Sequence, residues 1–443
     1  MKNQTFVLSK FSTLEKLLKK NEPMEFEGVE YQDTILHFSN TSLLKVIEEF
    51  STPLYVYSEG VLASRIQSYL DGARNHPVIL CYSVKANSNL SLLKIIKDYG
   101  LGADIVSGGE LYKCKIANVP SNKIVFSGVG KSKEEISFAL KENILLFSVE
   151  SPSELIVINE IAKELQTTAP INIRVNPDID PQTHPYISTG LKENKFGISH
   201  VEFEHVLKQA LALKHIEVMG LGYHIGSQIV NLNAKIEALQ RSKELIKIFN
   251  KYKKLMYFDI GGGLGIRYKD ENPPTPKEYL ETLLTQLPWK EIPHATILVE
   301  PGRSIVGPAG MFLTKIQYIK KNYDKIFYIV DGAMNDLIRP TLYSAYHTIL
   351  PVRQNKTSLM NVDVVGPICE TGDFFARDRI LPQLKEGEYL AILTTGAYGF
   401  SMASQYNSRP RPAEVLIRKD GTIKLIREKE TYEDLIAKEI HLM

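Results

Sequence analysis

Eight apolar, β-rich segments recur along this chain, each followed by a polar turn, and no other feature narrows the fold so far. In order they read "VILCYSVKA", "GADIVS", "KIVFSGV", "ILLFSVE", "INIRVN", "EVMGLGYHIG", "MYFDIGGG" and "TILVEPGR", within residues 78–303. Amphipathic segments lie between them, among them "LSLLKIIKDYG", "GGELYKCKIA", "SKEEISFALKEN", "SPSELIVINEIAKEL" and "NAKIEALQRSKELIKIFNKYKK". Short apolar or alternating runs are the mark of strands, and a 3.6-residue period is the mark of helices. Eight alternations in one stretch predict a (β/α)8, TIM-like barrel in an α/β chain.

The flanks have another texture. After Arg303, "MFLTKIQYIKK", "KIFYIVDG", "LMNVDVVG", "EYLAILTTG" and "AEVLIRKDGTIKLIRE" alternate as short strands, and Asp420-Gly421 is a candidate two-residue hairpin turn. Before the barrel, "MEFEGVEYQDTILHFS" also reads as strand and turn. Chain ends commonly lie close together. The prediction is a discontinuous β domain, sandwich or barrel, built from residues 25–57 and 307–443 around a barrel at 58–306. Residues 1–24 form an N-terminal extension with a candidate helix at "TLEKLLKK", and "TYEDLIAKEI" closes the chain as a short helix.

Bulk properties exclude several classes of function. A net charge of +2 with short basic runs offers no footprint for nucleic acid. No uninterrupted apolar run approaches the roughly 18 residues of a membrane span, and the N-terminus lacks a secretory apolar core. The three cysteines, Cys81, Cys114 and Cys369, form no CxxC pair and no even set, which fits a reducing, cytoplasmic setting. No H-E-x-x-H or similar cluster suggests a metal.

Barrel chemistry gathers at the C-terminal ends of the strands. Those ends carry Lys85, Ser107, Gly128, Glu150, Arg174 with Asn176, His224, Gly261 to Gly263, and Glu300 with Arg303. Lys85 follows an apolar strand; it either reaches solvent or, desolvated and neutral, serves as a nucleophilic amine. "DIGGGLG" lets the backbone approach an anion closely, yet Ile266 stands where a dinucleotide fingerprint needs glycine. His224 offers a face for a flat ring and Ser227 a hydroxyl for phosphate. Glu300 offers a carboxylate that keeps a pyridine nitrogen protonated, and Arg303 a clamp for phosphate or carboxylate. Lysine, phosphate cradle, ring stacker and carboxylate together match the needs of pyridoxal 5'-phosphate.

In these residues the chain resembles the alanine-racemase-like, fold-type III pyridoxal-phosphate decarboxylases. The resemblance spans "STPLYVYSEG" to "YNSRPRPAEVL" and includes "YSVKANSN", "GADIVSGGEL", "HPYISTGLKENKFGI", "HIGSQ", "GGGLG", "EPGRSIVG", "MNDLIRPTLYSAYH", "CETGDFFARDR" and "GAYGFSMASQYNSRPRP". It implies that Lys85 holds the cofactor as a Schiff base, His224 stacks on its ring and Glu300 pairs with its nitrogen. Ser227, Gly261, Gly262, Gly263, Arg303 and Tyr398 are implied around the phosphate, with Asp104 close by. Arg303, Arg339, Tyr343, Glu370 and Tyr398 are implied to bind substrate. Cys369 and Glu370 are implied to reach the partner's site in a homodimer. The proton donor is either Cys369 or Lys85. The implied reaction is decarboxylation of meso-2,6-diaminopimelate to L-lysine and CO2, the last step of lysine biosynthesis. The alternatives are a same-fold decarboxylase acting on lysine, ornithine, arginine or carboxynorspermidine, or a non-catalytic pyridoxal-phosphate carrier. Two positions depart from the family pattern: Gly222, where histidine is frequent, and Ser83, where alanine is common. "HPYISTG", with His184, reads as a mobile loop over the site.

Overall fold

A computed structural model describes residues 26–180, 189–190, 193–355 and 357–443. The N-terminal extension with "TLEKLLKK", and His184, lie outside the described residues. The rest divides into two compact units, one of residues 64–266 and 271–305, the other of residues 26–63, 267–270 and 306–443.

The first unit is the barrel. Its strands are β1 (Val78–Ser83), β2 (Gly102–Ile105), β3 (Ile124–Phe126), β4 (Leu146–Val149), β5 (Ala169–Asn176), β6 (Ile216–Gly222), β7 (Tyr257–Asp259) and β8 (Thr296–Val299). Each pairs in parallel with the next, and β8 pairs with β1 to close the ring. All eight are the segments singled out by hydrophobicity. Helices α1 (Leu90–Asp98), α2 (Gly108–Ile116), α3 (Lys133–Lys141), α4 (Pro152–Glu164), α5 (Phe203–Ala212), α6 (Asn233–Tyr252) and α7 (Pro276–Gln286) follow β1 to β7 in turn.

Short-range chemistry starts four of these helices. Ser107, Ser132, Ser151 and Thr275 each accept an N–H of the first helical turn, from Glu110, Glu135, Glu154 and Glu278. Ser132 and Thr275 complete capping boxes with Glu135 and Glu278, and proline opens α4 and α7. Each such cap is worth about 1 kcal/mol. Ser107, a polar strand-end residue, therefore has a structural task. Inside the ring, Cys81, Val125, Leu146 and Leu298 pack as a fully buried cluster. Burial pushes the Cys81 thiol well above its ordinary range, so it behaves as a small apolar side chain.

The second unit is a sheet domain drawn from both ends of the chain. Leu54–Ser58, buried at every position, lies between Gly310–Asn322, antiparallel to it, and Ala413–Ile417, parallel to it. A strand from before the barrel is thus central in a sheet made mostly after it. Tyr57 reinforces the junction by donating to Glu414 Oε1 at 2.7 Å, and Tyr55 by donating to the Asp336 carbonyl at 2.7 Å. Val29–Gln32, Ile35–Phe38 and Thr41–Ser42 form a separate three-stranded sheet.

Two local features differ from the sequence reading. Phe374–Pro382 is a strand paired with Leu359–Val365, although "FFARDR" lacks a strand's alternation. Its arginines lie on aromatic faces instead, Arg377 on Phe374 at 4.0 Å and Arg379 on Tyr346 at 3.9 Å. In the last hairpin, Gly421 N–H donates to the Arg418 carbonyl at 3.0 Å. Lys419 and Asp420 are therefore the central turn residues, and Gly421, at φ +82°, takes the left-handed position after them. Among the described residues, no helix is long and apolar enough to cross a membrane.

Candidate active site

The C-terminal ends of the barrel strands converge on a buried polar cluster. β1 ends at Ser83, and a single 3-10 turn, Val84–Ala86, carries Lys85. Lys85 Nζ lies 2.8 Å from Asp104 Oδ2, on β2, and its side chain is 36% exposed. Of the two alternatives that the apolar strand leaves open, the fold takes neither outright: the Lys85 side chain is partly exposed, and its amine is paired with Asp104. Asp104 itself is fully buried. Ser83 Oγ donates to the same Oδ2 at 2.9 Å, while Asp104 Oδ1 has no partner among the described residues. The serine that departs from the family pattern therefore holds the carboxylate that holds the lysine.

Glu300 follows β8 and is buried among other carboxyls. Burial, then Asp104 and Asp259, push its carboxyl well above the ordinary range. Asp259, at the end of β7, is raised to about 6, chiefly by burial. Acidic groups buried together at this density need a cation or shared protons.

His224 follows β6. Its Nδ1 lies 3.3 Å from the Gly262 N–H, which it accepts, and 3.9 Å from Glu300 Oε2. Burial, with the charges of Lys235, Arg174 and Lys85, holds its pKa well below the usual value. The ring is neutral, so its approach to Glu300 is not an ion pair. Arg303 is buried, and both its Nε and Nη2 donate to Ser227 Oγ, at 3.1 and 3.0 Å.

The glycine loop is packed against backbone on every side. A Cβ at Gly262 would lie 1.9 Å from the Glu300 carbonyl oxygen, and one at Gly263 would lie 2.3 Å from that of Gly226. Of the three amides, Gly261 donates to Asp259 Oδ1 at 2.8 Å and Gly262 to His224. Gly263 N–H has no acceptor among the described residues and is the amide left for an anion. Gly262→Ala is expected to force the β7 and β8 ends apart. The change should lower the thermal midpoint by several degrees, at roughly 2–4 °C per kcal/mol for a unit of this size. A melting curve against wild type checks it; an unchanged midpoint would contradict the packing argument.

Other strand-end residues serve one another. Arg174 Nη1 contacts Glu150 Oε1 at 2.6 Å, and Glu150 also accepts N–H from Gly128 at 3.2 Å and Gly197 at 2.8 Å. Asn176 donates to the Phe196 carbonyl at 3.1 Å. These contacts tie the mouths of β3, β4 and β5 together.

The remaining expected residues lie in the sheet unit. Arg339 and Tyr343 bound a short helix, and Arg339 Nη1 donates to His347 Nε2 at 2.9 Å. Its guanidinium sits 4.6 Å from the Tyr268 ring centre. Cys369 and Glu370 are exposed on a turn that is nonetheless held firmly. Asp373 accepts from the Met334 and Ile368 N–H groups at 2.7 and 2.6 Å, and Thr341 Oγ1 donates to the Gly372 carbonyl at 2.6 Å. Glu370 Oε2 accepts from Tyr406 at 2.8 Å. Half-buried Tyr398 has φ +56°. The arginine helix and the Cys369–Glu370 turn are thus brought together within this unit.

Sequence reasoning assigns no task to Asp259 or Lys235. Asp259 stands in "DIGGGLG", hidden beside its glycines. Lys235 falls on the same helical stripe as buried Ala238, Leu239, Ser242 and Phe249, and a lysine on an apolar stripe is itself a signal.

Residues 62–307 match the family described as pyridoxal-dependent decarboxylase, pyridoxal binding domain. The chain is 46% identical to a diaminopimelate decarboxylase of Aquifex aeolicus over 95% of this chain and 98% of that protein. Its fold matches a diaminopimelate decarboxylase of Methanocaldococcus jannaschii solved in complex with L-lysine, with a TM-score of 0.89, 40% identity and coverage of 94% and 99%. A Helicobacter pylori diaminopimelate decarboxylase, also complexed with L-lysine, matches with a TM-score of 0.85, 41% identity and coverage of 91% and 100%.

Proposed function

The chain belongs to the diaminopimelate decarboxylases, within the pyridoxal-dependent decarboxylases, and we propose on that footing how its own residues carry the reaction. It decarboxylates meso-2,6-diaminopimelate to L-lysine and CO2, the last step of lysine biosynthesis. The observation that carries the assignment of roles is the cluster at the barrel mouth. There the amine of Lys85, a partly exposed side chain, stands beside the buried Asp104, and buried Glu300 has no lysine or arginine within ion-pair distance among the described residues.

The cluster suits pyridoxal 5'-phosphate. Among the described residues Asp104 Oδ1 has no partner and Gly263 N–H has no acceptor, and the three buried carboxyls want a positive group among them. Lys85 would hold the cofactor covalently through its amine. Ser227, Arg303, Gly261 to Gly263 and Tyr398 would hold its phosphate, and neutral His224 would cover its ring. Glu300 would keep the ring nitrogen protonated. When bound, the cofactor supplies an electron sink for the pair left on carbon as CO2 departs.

The chain's own groups do the rest. Asp104, steadied by Ser83, takes up charge beside Lys85 and sets the amine's orientation. Glu300, with its pKa raised by burial and by Asp104 and Asp259, becomes a carboxylate when a cation arrives, so positive charge at that spot is strongly favoured. Arg303, Arg339 and Tyr343 are assigned to the distal carboxylate of substrate, and Glu370 to its distal ammonium. Cys369 or Lys85 returns a proton to the reacting carbon. Cys369 and Glu370 are exposed on a firmly held turn, which supports a homodimer in which each chain completes its partner's site. The cytoplasm is the proposed location.

Glu300→Gln keeps the shape and removes the ability to carry charge. It is expected to lower kcat about 10²-fold or more while leaving KM within a few-fold. Steady-state CO2 release checks this, and a kcat near wild type would remove Glu300 from the reaction. The assay that tests the whole reading compares CO2 release from meso-diaminopimelate, L-lysine and L-ornithine. Release mainly from lysine or ornithine would overturn the substrate.

A further inference from the structure

Lys235 is a strongly basic side chain that the reaction leaves without a task, and its setting is unusual. It lies in the first turn of α6 and is completely buried, 0% exposed. Its Nζ donates to the Ile260 carbonyl at 2.9 Å and stands 5.7 Å from the centre of the Tyr223 ring. No carboxylate oxygen lies within ion-pair distance of it among the described residues. Burial lowers its pKa to about 8, and the nearby Glu300 and Asp259 carboxyls oppose that shift. A methionine or leucine would fill this space on an apolar stripe without the cost of desolvating an ammonium group.

Ile260 is the residue that leads into the glycine loop, and Tyr223 immediately precedes His224. Lys235 therefore grips the backbone at the start of the loop whose Gly263 amide is left for an anion. It also braces the strand end that carries His224 and, beyond it, Ser227. A carbonyl held inward by an ammonium group leaves the following peptide units committed to one orientation. Gly261 and Gly263, at φ +64° and +105°, are the residues that absorb the resulting turn. Ser227, beyond His224, is in turn held by Arg303.

We propose that Lys235 is a positioning residue for the phosphate end of the cofactor: it shapes the glycine loop through the Ile260 carbonyl and supplies a buried positive charge behind it. The inference rests on the cofactor reading above and goes beyond it. Fixed charge in a buried setting acts over several ångströms with little screening, so a doubly negative phosphate gains from it while a neutral ligand does not.

The test separates charge from packing by changing the ligand as well as the protein. Full-length chain stripped of cofactor is titrated by absorbance with pyridoxal 5'-phosphate and, separately, with pyridoxal, which lacks the phosphate. Lys235→Met is expected to weaken pyridoxal 5'-phosphate about tenfold or more and pyridoxal less than about threefold. Lys235→Gln keeps a donor for the Ile260 carbonyl without the charge. It is expected to lose part of the same phosphate preference, and it carries the test should the methionine variant fail to fold by circular dichroism. Equal weakening of both ligands would mean a packing role only, and no weakening of either would mean no role; both overturn the proposal. Wild-type chain that binds neither ligand would overturn the cofactor reading first and this inference with it.

Discussion

Lys85→Ala is expected to lose the yellow colour of bound cofactor and to lower decarboxylation by about 10⁴-fold or more. The size follows from the geometry. Lys85 has its amine 2.8 Å from the buried Asp104 carboxylate, and it stands on a rigid turn at the end of a buried strand. Neighbouring amines do not substitute for it: Lys235 is sealed beneath the barrel mouth, and Lys131 is committed to Glu154 at 2.6 Å. The replacement also leaves Asp104 with Ser83 as its remaining side-chain partner among the described residues. Because Lys85 is about a third exposed, the pair's contribution to stability is partly screened, so the fold should survive. The absorbance spectrum and CO2 release are measured on the same sample, with circular dichroism as the check on folding. Colour and turnover retained together would show that another amine does the work.

The second large effect comes from mixing two inactive variants. Cys369→Ala alone is expected to lower kcat about 10²-fold or more, as for loss of a group acting on the reacting carbon. Lys85→Ala alone is inactive. Chains of the two kinds, dissociated together and reassembled at equal amounts, should regain about a quarter of wild-type activity. The figure is statistical: half the dimers are mixed, and in each of those one of two sites has both residues intact. The structural reason to expect sharing is the exposed thiol on a turn that Asp373 and Thr341 hold rigid. A turn so anchored presents its thiol outward in one fixed geometry, as delivery to a second chain requires. No recovery on mixing, with dimers demonstrated by sedimentation, would place Cys369 in its own chain's site.

Much of the architecture is legible in the sequence. The eight barrel strands, their order and the polar residues at one end of each can be read from local hydrophobicity. Apolar runs and their bounding turns are short-range patterns, and parallel strands buried on both faces leave little ambiguity. Lys85, His224, Gly261 to Gly263, Glu300 and Arg303 can be named because a barrel concentrates its chemistry at strand ends. The strand Phe374–Pro382 is obscured because Arg377 and Arg379 lay their guanidinium groups on Phe374 and Tyr346, and the second of these is distant in sequence. Asp259 and Lys235 are obscured for a related reason. Their importance depends on groups from other elements, Ile260 and Tyr223 for Lys235 and Glu300 and Asp104 for Asp259, that only the fold brings near them.

The division has a physical basis. The chain alone determined its architecture, because periodicity, caps and turns act over a few residues and the strand pattern repeats eight times. It also determined which side chains stand at the mouth of the barrel. Only the tertiary structure decided their charge states and partners. The apolar strand before Lys85 leaves open whether the amine reaches solvent or is desolvated, and the fold pairs it with Asp104 from the next strand. Glu300 is set by burial and by Asp104 and Asp259 from two other strands, and His224 is kept neutral by burial and by cations from three elements. Electrostatic energy depends on distance in space and on exclusion of water. Neither quantity exists until strands that are far apart in sequence have closed into one ring.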